Sequence, residues 1–135
     1  MAEDPSVREI RTNTIIHLEK TQSVYEAACL MKKNNVTSVV VLDKNAIAGI
    51  ITEKDIVQKV VCSELNPRQT TAEQVMTTPV NTVDVNQSVV EAARLMRQKK
   101  IKHLIVTDGR DVKGIITQQD IIDIYPALNR PDALK

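Results

Sequence analysis

The sequence predicts an α+β fold in which two β-α-β-β-α units stand in tandem, and three observations carry that expectation. The chain matches itself at an offset of about 65 residues. Each copy shows a capped helical stripe followed by two short apolar strand segments. Hydrophobic residues make up 42% of the 135 positions, enough to bury a core.

The repeat is seen in three blocks. Ser23-Val-Tyr-Glu-Ala-Ala-Cys-Leu-Met31 aligns with Ser88-Val-Val-Glu-Ala-Ala-Arg-Leu-Met96, and Val41-Leu-Asp43 with Val106-Thr-Asp108. Gly49-Ile-Ile-Thr-Glu-Lys-Asp-Ile56 aligns with Gly114-Ile-Ile-Thr-Gln-Gln-Asp-Ile121. One offset serves all three. It exceeds the usual solenoid period and occurs only twice, so the chain reads as two related half-domains, residues 7–65 and 72–126, forming one module. A half of that size buries a small share of its surface alone, and pairing supplies the rest.

Within each copy the elements follow in order. A short extended segment comes first, over 15–18 and again over 80–85. Ser23 and Ser88 then stand three residues before Glu26 and Glu91, the capping-box spacing in which hydroxyl and carboxylate satisfy free N–H groups at a helix start. Val24, Ala27, Ala28, Leu30 and Met31 make an apolar stripe at helical spacing, and Val89, Ala92, Ala93, Leu95 and Met96 repeat it. Cys29 is assigned to that apolar face as core. Buried strands follow over 39–42 and 104–106, then the polar turns Asp43-Lys44-Asn45 and Asp108-Gly109-Arg110. Second strands over 47–51 and 112–116 run straight into helices that begin near Thr52 and Thr117. Asn66-Pro67-Arg68-Gln69-Thr70-Thr71 is polar and proline-broken, as a connection should be, and 126–135 reads as an irregular end.

Composition excludes several classes of function. Lys and Arg total 18 against 17 Asp and Glu, with no long basic run, and the aromatic residues are Tyr25 and Tyr125 alone. That balance lacks the basic patch and stacking platforms of a nucleic-acid binder. The longest apolar runs fall far short of the roughly 20 residues a membrane helix needs, and the start shows no signal-peptide pattern. Two cysteines without paired spacing suit reduced thiols in a cytoplasm. His17, His103, Cys29 and Cys62 lack the close spacings of zinc ligands, so no metal is expected. With three glycines and no Gly-x-x-x-x-Gly-Lys or Gly-x-Gly-x-x-Gly, a glycine-rich phosphate loop cannot be built.

The pattern that can carry chemistry is an apolar strand followed by Thr-x-x-Asp, at Thr52 with Asp55 and at Thr117 with Asp120. One reading is ordinary capping, threonine at the N-cap and a carboxylate in the first turn. The other is recognition: a strand-to-helix junction presents a hydroxyl for a phosphate or ribose oxygen and a carboxylate able to accept two ribose hydroxyls. No nucleophile, base or metal set accompanies it, so no catalytic residue is assigned.

The doubled Gly-Ile-Ile-Thr-x-x-Asp, the doubled Ser-Val-x-Glu-Ala-Ala-x-Leu-Met, and Val75-Met-Thr-Thr-Pro-Val80 ahead of the second copy resemble the CBS domain family over nearly the whole chain. The resemblance implies a pair of repeats joined through their sheets with pseudo-twofold symmetry, often called a Bateman module. It implies two sites for adenosine-containing ligands such as AMP, ADP, ATP or S-adenosylmethionine in a central cleft, and no catalytic cofactor. By the same resemblance, Thr117 and Asp120 work with Ile15, Val36, Thr37 and Ser38. Thr52 and Asp55 work with Thr78, Val80, Ile101, Lys102 and His103, and this cation-bearing set favours phosphorylated ligands. The sequence departs from the family at Val40 and Ile105, where many members carry proline, and at Thr14, where the second copy has Pro79. A homodimer and an unidentified regulated protein complete what the resemblance implies. The competing readings are a docking module with vestigial sites, an enzyme acting on nucleotides, and a nucleic-acid binder.

Overall fold

The computed structural model describes residues 5–12 and 14–125, so the expected irregular end over 126–135 lies outside them. The elements of the first half are α1 (Val7–Ile10), β1 (His17–Glu19), α2 (Val24–Asn34), β2 (Ser38–Asp43), β3 (Ala46–Thr52) and α3 (Glu53–Asp55). A π-helical stretch, Ile56–Val61, continues α3. The second half supplies α4 (Ala72–Val75), β4 (Thr82–Asp84), α5 (Val89–Lys99), β5 (His103–Asp108), β6 (Asp111–Thr117) and α6 (Gln118–Ile124). The β-α-β-β-α order appears twice, as the sequence predicts. Each copy is preceded by a short helix, α1 or α4, which the sequence reading does not anticipate: one turn is too short to show a period.

Two three-stranded sheets result, in the orders β1-β2-β3 and β4-β5-β6. In each, the first pair is parallel and the second antiparallel, with His17 opposite Val40 in one and Thr82 opposite Ile105 in the other. The central strands are buried along both faces: Val39, Val40, Val41, Leu104, Ile105 and Val106 are all at most 1% exposed. This explains why they read as unbroken apolar runs and not as alternating ones. The turns between the antiparallel strands take positive φ at Lys44 and Asn45 in the first copy and at Gly109 in the second.

Long helices start as predicted but are capped more simply. Ser23 and Ser88 accept from the amides of Glu26 and Glu91. The reciprocal half of the box is missing, because Glu26 instead accepts from Gln22 and Glu91 from Arg94. The apolar stripes are also narrower than expected, with Val24, Ala27 and Met31 buried in one helix and Val89, Ala92 and Met96 in the other. Cys29 lies outside this stripe and is exposed, which corrects its assignment to the core.

The chain forms two compact units that are cut differently from the sequence repeats. One is Ile15–Val80, and the other joins the described residues before Ile15 to those from Asn81 to Tyr125. Each unit therefore borrows the helix that opens the other repeat. In the first, Ala72 and Val75 of α4 join Leu18, Val24, Ala27, Met31, Val39, Val41, Ile51 and Val60 in a single core. In the second, Val7 of α1 joins Val83, Val85, Val89, Ala92, Met96, Leu104, Val106, Ile116 and Ile121.

The borrowed segments attach in the same way. Thr77 exchanges both backbone hydrogen bonds with Ile50, and Thr12 does so with Ile115. A glycine lets each segment cross. A Cβ on Gly49 would meet Met76 Sδ at 2.7 Å and the Thr77 carbonyl at 2.9 Å, and a Cβ on Gly114 would collide with the Thr12 carbonyl. Ion pairs reinforce both docks with opposite polarity. Lys20 bridges Asp43 (3.1 Å) and Glu73 of α4 (3.6 Å), whereas Arg8 of α1 reaches Asp108 at 3.8 Å.

Candidate functional site

Both Thr-x-x-Asp motifs fold into the same corner. A strand ends at a threonine with extended backbone, φ −111° at Thr52 and −118° at Thr117, and the chain turns directly into a helix. The threonine hydroxyl accepts from the aspartate amide, and the carboxylate accepts from the threonine amide at 2.9 Å in the first copy and 2.8 Å in the second. These are the two complete Thr/Asp capping boxes of the chain's described residues. A capping role and a recognition role share this geometry. In each copy the box fixes one carboxylate oxygen, Oδ2.

Each corner sits beside the start of the neighbouring core strand of its own repeat. Ser38 is paired with Thr52 across β2 and β3, and the Glu53 amide donates to the Thr37 carbonyl at 3.1 Å. In the second copy His103 is paired with Thr117, and the Gln118 amide donates to the Lys102 carbonyl at 2.9 Å. The Ile15–Val80 unit thus holds Thr52, Asp55, Thr37 and Ser38 together, with half-buried Val36 leading into the strand. The other unit holds Thr117, Asp120, Lys102 and His103, with Ile101 in the corresponding place. Ile15 and Val80, both half-buried, occupy matching positions two residues before β1 and β4, and Thr78 is exposed. Ile101, Lys102 and Gln118 line a groove of about 510 Å³ together with Met96, Arg97 and Lys100.

The two carboxylates differ in what holds them. Asp55 is 7% exposed. Its Oδ1 accepts from Thr77 Oγ1 at 2.9 Å and pairs with Lys59 Nζ at 3.0 Å. Its Oδ2 accepts from the Thr52 amide and from Thr52 Oγ1 at 3.2 Å. Lys59 Nζ also donates to the Val75 carbonyl (2.9 Å) and to Thr77 Oγ1 (3.3 Å). Asp120 is half-buried and its Oδ2 takes the Thr117 amide, while its Oδ1 has no donor among the described residues. Lys59 and Thr77 are absent from the sequence-derived site. Lys59 was legible as an i,i+4 partner of Asp55. Thr77 was not, since 22 residues separate it from Asp55 and only the borrowed segment brings it there.

Among titratable groups, Lys20 stands out. Its hydrogen bond to Asp43, followed by the charges of Asp43 and Glu73, raises its pKa above 10.5. Among the described residues, no cluster of His, Cys, Asp and Glu could hold a metal ion, and no helix is long and apolar enough to cross a membrane.

Comparison with known proteins gives a consistent result. The family model for the CBS domain matches residues 7–61 and 72–127. An uncharacterized protein of Methanopyrus kandleri is 39% identical over 125 residues; the match covers 91% of this chain and 64% of that relative's length. A protein with CBS domains from Burkholderia ambifaria superposes with a TM-score of 0.85 at 32% identity, covering 92% of this chain and 93% of the other. A hexameric CBS-CP12 protein from bloom-forming cyanobacteria superposes with a TM-score of 0.82 at 28% identity, covering 90% of this chain and 68% of that one.

Proposed function

Since the chain belongs to the CBS domain family, a family of regulatory modules, and carries two copies of the domain, we propose that it is a non-catalytic sensor of adenosine-containing ligands. The candidates are AMP, ADP, ATP and S-adenosylmethionine. The observation that carries this reading is the duplicated corner, in which a threonine hydroxyl and an aspartate carboxylate are locked to each other at a strand end. A carboxylate with one oxygen pinned and the other without a donor among the described residues, as at Asp120, suits the two adjacent hydroxyls of a ribose, since hydrogen bonds to a charged acceptor are stronger than those between neutral groups. Lys102, and His103 when protonated, supply cations for ligand phosphates. Sensing then requires that the ligand prefer one of two conformations of the module, and a partner protein reads the difference.

The module is further proposed to act in the cytoplasm as a homodimer. Sedimentation at high protein concentration should show a dimer, and a monomer throughout would contradict that part.

One observation favours a second reading, a docking module without a ligand: the Asp55 carboxylate already has its bonds from the protein. Mass spectrometry of small molecules released from natively purified protein, followed by thermal unfolding with the molecule found, separates the two. A ligand bound only by the folded state should add about 2.7 kcal/mol of stability at about 100 times its Kd. Release of no adenosine compound, together with an unmoved unfolding transition for all four candidates, would leave the docking reading in possession.

A further inference from the structure

We infer that Lys59 decides which of the two corners takes a ribose: it closes the Asp55 carboxylate, so that ligand binds through Asp120. The inference rests on the adenosine-binding reading given above. It starts from a count of donors. An ionised carboxylate offers about four acceptor positions, two on each oxygen. At Asp55 four donors are present: Lys59 and Thr77 on Oδ1, and the amide and hydroxyl of Thr52 on Oδ2. A sugar hydroxyl can bind there only by displacing one of them. At Asp120 the Thr117 amide takes one position on Oδ2, and Oδ1, without a donor among the described residues, is left for a diol.

The difference is written in the sequence at symmetric places. Thr12 and Thr77 correspond at the repeat offset, and each bridges the same position of its sheet. Lys59, however, corresponds to Ile124, so the second copy has no cation four residues after its aspartate. Lys59 is held for this task. Its ammonium group is shared among Asp55, Thr77 and the Val75 carbonyl, which uses all three of its donors. Those partners belong to α3, to the last residue of α4 and to the segment that follows it, so closing the carboxylate also fastens α4 to the unit. The Asp55 side chain is 9% exposed, which strengthens its bonds, whereas that of Lys59 is 44% exposed and open to screening. Lys59 therefore acts as a displaceable latch and shifts affinity by about tenfold, equivalent to about 1.4 kcal/mol.

Calorimetric titration of the full chain with AMP tests this. Wild-type protein is expected to bind AMP in one principal event per chain, removed by Asp120→Asn. Lys59→Met should add a second event, at least about tenfold tighter than any weak second event of the wild type. The double variant K59M/D55N should lose the added event. Thr77→Val, which deletes one donor and keeps Lys59, should move in the same direction by a smaller factor and serves if Lys59→Met does not fold. Unchanged stoichiometry and affinity in folded Lys59→Met and Thr77→Val, or a wild type whose principal event is removed by Asp55→Asn instead of Asp120→Asn, would overturn the assignment to Lys59 while leaving adenosine binding intact. Absence of heat with AMP, ADP, ATP and S-adenosylmethionine in the wild type and in every variant is the separate result that overturns both.

Discussion

Shortening one side chain of α1, Val7→Ala, should weaken the second-repeat unit and leave the Ile15–Val80 unit untouched. Val7 is fully buried in the core built by β4, α5, β5, β6 and α6, although it opens the first repeat in sequence. The substitution removes two carbons' worth of apolar burial, about 1.5 kcal/mol of transfer free energy, and leaves a void that adds to it. The backbone bonds from Val7 to Gln87 and from Arg8 to Val85 stay in place, so α1 has no room to slide and fill the gap. A total of about 2 kcal/mol follows, which at a urea m-value of about 1.5 kcal/mol/M moves the midpoint by about 1.3 M. Urea unfolding measures the size, and amide hydrogen exchange measures the place. Protection should fall at Val85, Val89 and Ile115 and hold at Val40, Ile50 and Ala72. A loss under about 0.5 kcal/mol, the range of ordinary surface changes, would refute the docking of α1, as would lost protection centred on Ile15–Val80.

Two further outcomes follow from the same docks. Gly114→Ala should destabilise by about 2–4 kcal/mol, because φ +151° strains an L residue and the new methyl meets the Thr12 carbonyl; a chemical unfolding curve superposable on wild type would contradict the crossing. Lys20 has a folded pKa above its unfolded one, so its contribution is complete below 10.5 and disappears as pH rises through the higher folded value. Unfolding of wild type and Lys20→Met followed across that range should show the two converging at high pH, and a constant difference would mean that the pairing with Asp43 is not the cause.

Much of this architecture can be read locally. The strands of the central pair announce themselves as unbroken apolar runs, and the helices by serine caps and an apolar stripe, because those signals lie within one turn or one strand of the residues they describe. Readings that depend on neighbours across the fold fare differently. The glutamates after Ser23 and Ser88 have the capping spacing, yet Gln22 and Arg94 draw them away. Cys29 sits among apolar residues in sequence but off the narrow buried stripe. Helices α1 and α4 are a single turn each, and nothing in their own residues says that each packs in the unit of the other repeat. Thr71 with Gln74 does show box spacing, a usable signal for α4 that only its reciprocal bonds make plain.

The same division runs through the candidate site. Thr52, Asp55, Thr117 and Asp120 stand out because the motif is doubled at one offset, and the corner they form is entirely local. Their chemical inequality is not. It comes from Lys59, one helical turn on, and from Thr77, which arrives with the borrowed segment. Two copies of one motif, threaded alike, thus acquire different chemistry through Lys59, where the second copy has Ile124, and through the Thr77 hydroxyl.

Side-by-side calorimetry of AMP and its 2′,3′-dideoxy analogue interrogates the sugar hydroxyls and nothing else. If an aspartate at a strand-to-helix corner holds the diol, removing both hydroxyls should weaken binding at least about 100-fold, since each bond to a charged acceptor is worth about 1.5–3 kcal/mol. Equal affinities for the two compounds would mean that neither Asp55 nor Asp120 recognises ribose.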